Sequence, residues 1–292
     1  MAIAEFLILG GHGMLGRALT AATSRRHTVA AMSHHECDIT READVASALD
    51  RIQPAAVFNC AAFTRVDDCE TNVAAANALN GEAVGTLARL TAARRIRLVH
   101  FSTDYIFDGK TTLPYRETDL PDPLSAYGRS KLLGERELRK AGDKNWLLIR
   151  TAWLFGRHGR CFPRSIVERA RRGEPLQVVS DQFGSPTLAD DLADATLDLV
   201  DRRATGVWHI VNSEPASWFD LAAATLQAFG LPANIDPITT THWQTLHPDR
   251  AVRPAFSVLD ATPLATLRGH PLRSWREAVA AFAAQVRAAD AF

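Results

Sequence analysis

The sequence lacks an excess of either charge: 33 Lys plus Arg face 33 Asp plus Glu. Chains whose main partner is nucleic acid or an anionic membrane carry a basic surplus. Neither partner is expected here, and an anionic substrate must be held by local donors. The chain also lacks any apolar run long enough to span a bilayer. Its opening run, Met1-Ala2-Ile3-Ala4-Glu5-Phe6-Leu7-Ile8-Leu9, has no basic start and no cleavage-like site. It is expected to hold a first strand rather than a leader. Cysteine is scarce, with four residues (Cys37, Cys60, Cys69, Cys161) that show neither CxxC nor metal-ligand spacing. No metal is expected, and the thiols read as buried or incidental groups in a reducing cytoplasm. Internal repeats, low-complexity tracts and long linkers are missing too.

What remains is an ordinary globular composition, 47% apolar and 23% charged, in 292 residues. That length buries one large core or two modest ones. Short apolar runs at Phe6–Leu9, Thr28–Ala31, Ala56–Asn59, Arg97–Ser102 and Trp146–Arg150 read as strands. Helical patterns fall between them, at Leu15–Ser24, Ala43–Arg51, Asn72–Arg94 and Tyr127–Ala141. Strict alternation predicts an α/β fold, a doubly wound parallel sheet covered on both faces. After about Gly156 the pattern loosens. Helices are expected at Ile166–Arg172, Leu188–Val200, Trp218–Phe229 and Trp275–Ala288, and a strand at Gly206–Asn212. Prolines concentrated between Pro232 and Pro271 predict irregular connections. The division expected is a dinucleotide-binding domain over 1–156 and a smaller substrate lobe over 157–292. A segment near 188–212 returns to the first domain.

Gly10-Gly11-His12-Gly13-Met14-Leu15-Gly16 follows the first strand and opens the first helix. Glycine permits the tight turn and lets a pyrophosphate approach the backbone, while the helix N-terminus presents free N–H groups. This predicts a dinucleotide site at Gly10, Gly13, Met14, Leu15 and Gly16. After the second strand, Met32-Ser33-His34-His35 carries no carboxylate before Glu36. An acidic residue at that strand end would select the free ribose hydroxyl, so NADPH is favoured, with NADH as an accepted substitute. Asp38 and Ile39 are expected to meet the adenine.

Tyr127-Gly128-Arg129-Ser130-Lys131 sets Tyr and Lys four apart, on one helix face. A nearby ammonium lowers a phenol's pKa and fits it for proton exchange with a carbonyl or alcohol oxygen. The hydroxyls of Phe101-Ser102-Thr103-Asp104-Tyr105 lie at the end of the preceding strand, where open parallel sheets bind ligands.

With these residues the chain resembles the extended short-chain dehydrogenases/reductases, most closely the dTDP-4-dehydrorhamnose reductase family. The resemblance spans nearly the whole chain. Its most specific runs are Ser-Thr-Asp-Tyr-Ile-Phe-Asp-Gly at Ser102–Gly109 and Asp-Gln-Phe-Gly-Ser-Pro-Thr at Asp181–Thr187. It implies Thr103, Tyr127 and Lys131 as the catalytic set, with Thr103 orienting the sugar carbonyl, Tyr127 giving the proton, and Lys131 tuning Tyr127 and binding the nicotinamide ribose. It further implies Ala61 and Ala62 beside the cofactor, and Thr64, Val66, Asp104, Tyr105 and Trp153 in the sugar pocket. Arg253 would lie near the diphosphate of the nucleotide-sugar substrate. The implied reaction is NADPH-dependent reduction of the 4-keto group of a nucleotide-linked 6-deoxysugar, dTDP-4-dehydro-L-rhamnose going to dTDP-L-rhamnose. The expected setting is cytoplasmic, and the expected assembly a homodimer.

Two stretches depart from the family. Phe256 stands where Asn is more usual, which predicts a less polar nucleotide or sugar pocket. Residues 237–250, with His242, Trp243 and His247, fit the pattern poorly and are expected as a lid or an irregular connection. Alternatives on the same scaffold are an epimerase that recycles NAD and a non-catalytic regulatory subunit. A 4,6-dehydratase would follow Asp104 with Glu, and Tyr105 stands there instead.

Overall fold

The computed structural model describes residues 4–142 and 144–289. The chain opens with β1 (Phe6–Leu9), α1 (Met14–Thr23), β2 (Val29–Met32), α2 (Glu42–Ile52) and β3 (Ala56–Asn59). Then come α3 (Val66–Thr71), α4 (Val73–Asn77), a π-helical turn at Ala78–Glu82 and α5 (Ala83–Ala93). Strand β4 (Arg97–Thr103), a 3-10 turn at Asp104–Ile106, α6 (Ala126–Lys140) and β5 (Trp146–Thr151) follow. The next elements are β6 (Leu154–Phe155), α7 (Phe162–Arg171), β7 (Leu176–Val179), β8 (Phe183–Gly184), β9 (Thr187–Leu188), α8 (Ala189–Asp201) and β10 (Gly206–His209). The chain closes with β11 (Ala216–Ser217), α9 (Trp218–Ala228), β12 (Ile235–Ile238), α10 (Thr240–Leu246), α11 (Thr262–Arg268) and α12 (Trp275–Ala288).

Six strands form one parallel sheet in the order β10-β5-β4-β3-β1-β2. Both faces are covered, which is why the strands read as nearly unbroken apolar runs. Phe6 and Ile8 of β1 face one way, into a cluster with Leu19 of α1 and Leu192 of α8. Leu7 and Leu9 face the other, against Leu49 of α2 and Leu87 of α5. The order reverses between β1 and β3, so the carboxyl ends of these strands flank an open crevice, the usual ligand position in such sheets. Helix α8 packs on α1 and β10 pairs with β5, so residues after 188 complete the central layer. Helices α7, α9 and α12 with the β7–β12 pair form a smaller body around Phe155, Leu221, Trp275 and Phe282.

The single helix expected over Asn72–Arg94 is broken. Asn80 sits in the π-helical turn, where its side chain accepts from Phe63 N at 2.8 Å and donates to Phe63 O and Ser130 Oγ, each at 3.0 Å. One wide turn aims this amide inward, a tertiary demand that an Ala-rich pattern does not display. The strand expected over Gly206–Asn212 ends at His209, whose N–H donates to Glu117 Oε1 at 3.2 Å. The Pro232–Pro271 stretch contains β12, α10 and α11 as well as irregular chain.

Beneath the sheet's ligand-binding edge, Arg150 of β5 is 2% exposed and Glu135 of α6 is fully buried. Arg150 donates to Glu135 from Nε at 3.0 Å and from Nη2 at 2.9 Å, and Ser102 Oγ donates to the same carboxylate at 2.6 Å. Burial opposes this charge, but the Arg150 bonds outweigh it and hold the carboxyl below its ordinary range. Removing one partner of a buried pair strands the other, at a cost of about 3–5 kcal/mol. Glu135→Ala is therefore expected to lower the unfolding free energy by that order in urea titrations. A loss below about 1 kcal/mol would show that the pair does not hold α6 to the sheet.

Candidate active site

The crevice is a cleft of about 500 Å³. One wall is the glycine loop. Gly11 N donates to Met32 O at 2.9 Å and Gly13 N to Gly10 O at 3.0 Å, which folds the loop back on itself. A Cβ on Gly16 would collide with the Gly10 carbonyl, so only glycine lets α1 start this close to the turn. Helix α1 has no side-chain cap and no acidic residue in its first turn. Its N–H groups and positive dipole end are left to favour phosphate, and the residues present fit a dinucleotide.

The other wall is built by β4 and α6. Ser125 Oγ caps α6 by accepting from Gly128 N at 3.1 Å, which starts the helix one residue before Tyr127. A Cβ on Gly128 would run into the Tyr105 carbonyl, so this glycine lets the first turn of α6 press onto the Asp104–Ile106 turn. That contact brings Tyr127 toward the Thr103 hydroxyl. Burial pushes the Tyr127 phenol above its ordinary value, against the opposing pull of the neighbouring Thr103 hydroxyl. Lys131, 2% exposed, lies one turn further on and donates from Nζ to Phe101 O at 2.6 Å. Burial brings its ammonium down to about 8, with Glu135 and Cys60 opposing.

Asp104 is 2% exposed and accepts from Ser257 Oγ at 2.6 Å and Thr103 Oγ1 at 2.9 Å. Burial raises its carboxyl to about 7 despite these bonds. Thr103 has a single proton to donate. While Asp104 is ionised that proton goes to the carboxylate, and once Asp104 is protonated the bond can reverse and free it for a ligand oxygen.

Of the residues singled out in sequence, Gly13, Met14, Leu15, Gly16, Ala62, Thr64, Val66, Thr103, Asp104, Tyr105, Tyr127, Lys131 and Trp153 line this cleft. Gly10 and Ala61 stand behind the lining, packed against each other. Asp38 Oδ1 accepts from Thr40 N at 3.0 Å and Thr40 Oγ1 at 2.7 Å, and Ile39 is core. Neither is brought to the lining. Glu36 Oε2 turns back on its own loop, accepting from Ser33 N at 2.8 Å and Ser33 Oγ at 2.7 Å. Arg253 points to Asp67, with Nη2 at 3.0 and 3.1 Å from its carboxylate oxygens, and its charge opposes the burial that raises the Tyr105 phenol. Trp243 of α10 lies beneath the Arg253 guanidinium at 5.0 Å. Phe256 packs into an apolar cluster with Ile106, Leu259 and Trp153 rather than lining the cleft, so the expected loss of pocket polarity does not follow from it. Asn59, Cys60, Arg160 and Trp218 line the cleft without having been singled out. Asn59 and Cys60 end a strand beside the glycine loop, a position legible from topology, while Arg160 and Trp218 arrive from later segments that no motif marks. Among the described residues no group of three or more His, Cys, Asp or Glu assembles as a metal-ligand set, and no helix is long and apolar enough to cross a membrane.

The family profile described as the RmlD substrate binding domain matches residues 4–288. A probable dTDP-4,6-dihydroxy-2-methyloxan-3-one 4-ketoreductase of Streptomyces antibioticus is 42% identical over 279 residues, 94% of this chain and 93% of the relative. The dTDP-4-dehydrorhamnose reductase of Burkholderia thailandensis is 36% identical over 288 residues, 94% of this chain and 96% of its own. In structure, the dTDP-4-dehydrorhamnose reductase of Bacillus anthracis in complex with NADP superposes with a TM-score of 0.91 at 28% identity, covering 98% of this chain and all (100%) of that one.

A carboxyl whose folded-state pKa lies above its unfolded value gives stability that is complete below the unfolded value and is lost as pH rises through the folded one. For Asp104 that window runs from 3.8 to about 7. Asp104→Asn cannot ionise, so the wild type is expected to lose stability relative to it across this window, with the gap constant at higher pH. Denaturant melts of both proteins at several pH values measure it, and a gap independent of pH would refute the assignment.

Proposed function

The chain belongs to the dTDP-4-dehydrorhamnose reductase family, and on that premise we propose that it reduces the 4-keto group of a dTDP-linked 6-deoxyhexose, dTDP-4-dehydro-L-rhamnose before others. The observation that carries the reading is the convergence of Thr103, Tyr127 and Lys131 on one cleft with the glycine loop.

The glycine loop and the start of α1 would hold the pyrophosphate of NADPH, and Lys131 its nicotinamide ribose. Bound there, the reduced nicotinamide supplies hydride to the sugar's C4. NADPH is preferred in this reading because the nearest carboxylate after β2, Glu36, is tied to Ser33 and not presented as a ribose acceptor. Thr103 donates to the keto oxygen when Asp104 holds its proton, and Tyr127 delivers a proton to that oxygen as negative charge develops there. The raised phenol pKa suits an acid that must stay protonated until this moment. Lys131 keeps a positive charge beside the forming phenolate. Residues 1–156 carry the cofactor half in this arrangement. The lobe over 157–292 carries the sugar-nucleotide half, with 188–212 folded back onto the first. Cofactor and substrate are both cytoplasmic nucleotides, and the reading places the enzyme there.

Loss of nicotinamide absorbance on mixing NADPH with dTDP-4-dehydro-L-rhamnose tests the proposal, with NADH as the comparison. Wild type is expected to turn over and to give dTDP-L-rhamnose, and Tyr127→Phe to lose at least about 10²-fold in rate while still binding NADPH. A folded, NADPH-binding wild type that leaves this substrate untouched would overturn the assignment. Asp104 and Lys131 both work in their protonated forms. The kcat/KM for reduction is therefore expected to fall as pH rises from about 7 through about 8. In Asp104→Asn only the Lys131 step, near 8, should remain. A profile flat to pH 9 would remove both groups from the chemistry.

A further inference from the structure

Two cations line the cleft, Lys131 and Arg160. Lys131 is buried and donates to Phe101 O. Arg160 is exposed, and among the described residues its guanidinium has neither a hydrogen-bond partner nor an ion-pair partner. The one carboxylate in the lining, Asp104, is turned to Ser257 and Thr103. Arg160 belongs to the connection between β6 and α7, and that connection is pinned at several points. A Cβ on Gly156 would meet Ala189 Cβ at 3.2 Å and Met14 Cγ at 3.4 Å, so its start lies against the first residue of α1. Arg164 Nη2 donates to Arg157 O at 2.9 Å, and Cys161 Sγ to Gly156 O at 3.8 Å. Gly159, itself in the lining, turns the chain with φ +75°, in the left-handed region that suits glycine. The surroundings are cationic. Burial and the charges of Arg157, Arg17 and Arg164 hold the His158 imidazole below its ordinary range, with Asp190 opposing. Like charges gathered on a pinned loop repel one another, and an anion bound there relieves the repulsion. Arg253, which the family likeness would bring to a diphosphate, is already engaged. Asp67 accepts from it, from Arg250 Nη1 at 3.1 Å and from Ala251 N at 3.1 Å, and Arg253 is not in the lining.

We propose that Arg160 binds the diphosphate of the nucleotide-sugar substrate, in the place that the Asp67-bound Arg253 leaves unfilled. This rests on the sugar-nucleotide reading above. Cofactor and substrate each bring a diphosphate into one cleft of about 500 Å³. The uncapped N–H groups of α1 serve the cofactor's. Among the lining residues the second diphosphate finds one unpaired cation, Arg160. A guanidinium offers a phosphate paired, directional hydrogen bonds, and no carboxylate has to be displaced from Arg160 before they form. The chain as a whole carries no net charge, so this local donor supplies the attraction that overall charge does not.

The test is titration calorimetry of dTDP into the NADP-saturated protein, and of NADPH into the free protein, for wild type, Arg160→Ala, Arg160→Lys and Arg253→Ala. In Arg160→Ala the Kd for dTDP is expected to rise about tenfold while that for NADPH stays within about twofold. Arg160→Lys keeps the charge but loses the fork, and its Kd for dTDP is expected to rise about threefold. The dTDP affinity of wild type should fall more steeply with added salt than that of Arg160→Ala, a difference that a merely structural role would not produce. KM for the sugar nucleotide should rise more than kcat falls. If Arg160→Ala loses NADPH affinity and keeps dTDP affinity, the guanidinium serves the cofactor, and the inference is overturned while the sugar-nucleotide reading stands. If Arg253→Ala loses dTDP affinity and Arg160→Ala does not, the diphosphate is held from the C-terminal segment and the inference is again overturned alone. If wild type binds no dTDP, the sugar-nucleotide reading falls and takes this inference with it.

Discussion

The buried Arg150–Glu135 pair is the constraint on which the cleft wall built by β4, β5 and α6 depends. Arg150 leaves the end of β5, Glu135 sits one turn beyond Lys131 on α6, and Ser102 of β4 donates to the same carboxylate. Three elements are thus locked together by one desolvated charge pair, and Arg150 also reaches Glu117 O at 3.2 Å and His209 Nε2 at 3.5 Å. Burial and the adjacent Arg150 charge drop the His209 pKa to about 3, so this imidazole is neutral at any working pH. Buried pairs seldom add net stability over an apolar replacement. What this one supplies is register: a hydrophobic contact would let α6 slide along the sheet, whereas a two-pronged guanidinium bond holds it at one position.

That register matters because Tyr127 and Lys131, the proposed proton-handling pair, lie on the first two turns of α6, with Thr103 and Asp104 at the end of β4. Gly128 permits the first turn to touch the Asp104–Ile106 turn, and Ser125 fixes where the helix begins. Pinned at Gly128 and Glu135, the helix leaves Tyr127 and Lys131 little freedom. Burial then acts on each group of the site differently. It raises the phenol of Tyr127 and the carboxyl of Asp104 and lowers the ammonium of Lys131. The phenol and the carboxyl are thereby kept as proton donors near neutrality, and the ammonium is left close to its titration point.

The first half of the fold was legible because its signals are local. Strand and helix alternation, the glycine loop and the Tyr-x-x-x-Lys spacing each occupy a few consecutive residues, and a parallel sheet follows from them almost without choice. The misread elements share a different cause. The π-helical turn exists to aim Asn80 at Phe63 and Ser130, residues 17 and 50 positions away. Strand β12 is short, pairs with β7, and carries Pro237 within it, which a propensity argument reads as a break. Asp38 and Ile39 stand after β2, where Asp38 accepts from Thr40 N and Ile39 packs in the core beneath the loop, and no spacing in the sequence announces either contact.

The cleft itself divides along the same line. The groups proposed to move protons come from the end of β4 and from α6, neighbours in sequence as well as in space. Other groups at or behind the cleft come from segments scattered over the second half: Trp153 after β5 and Trp218 at the head of α9 in the lining, and Ser257, behind Asp104, from the last irregular stretch. A side chain recruited across 153 positions, as Ser257 is to Asp104, leaves no spacing to read. Reaction chemistry is therefore the more legible property of this chain and substrate choice the less legible. The physical reason is that proton transfer needs a few atoms at fixed separations on one rigid element, whereas enclosing a hexose needs surface from many elements at once.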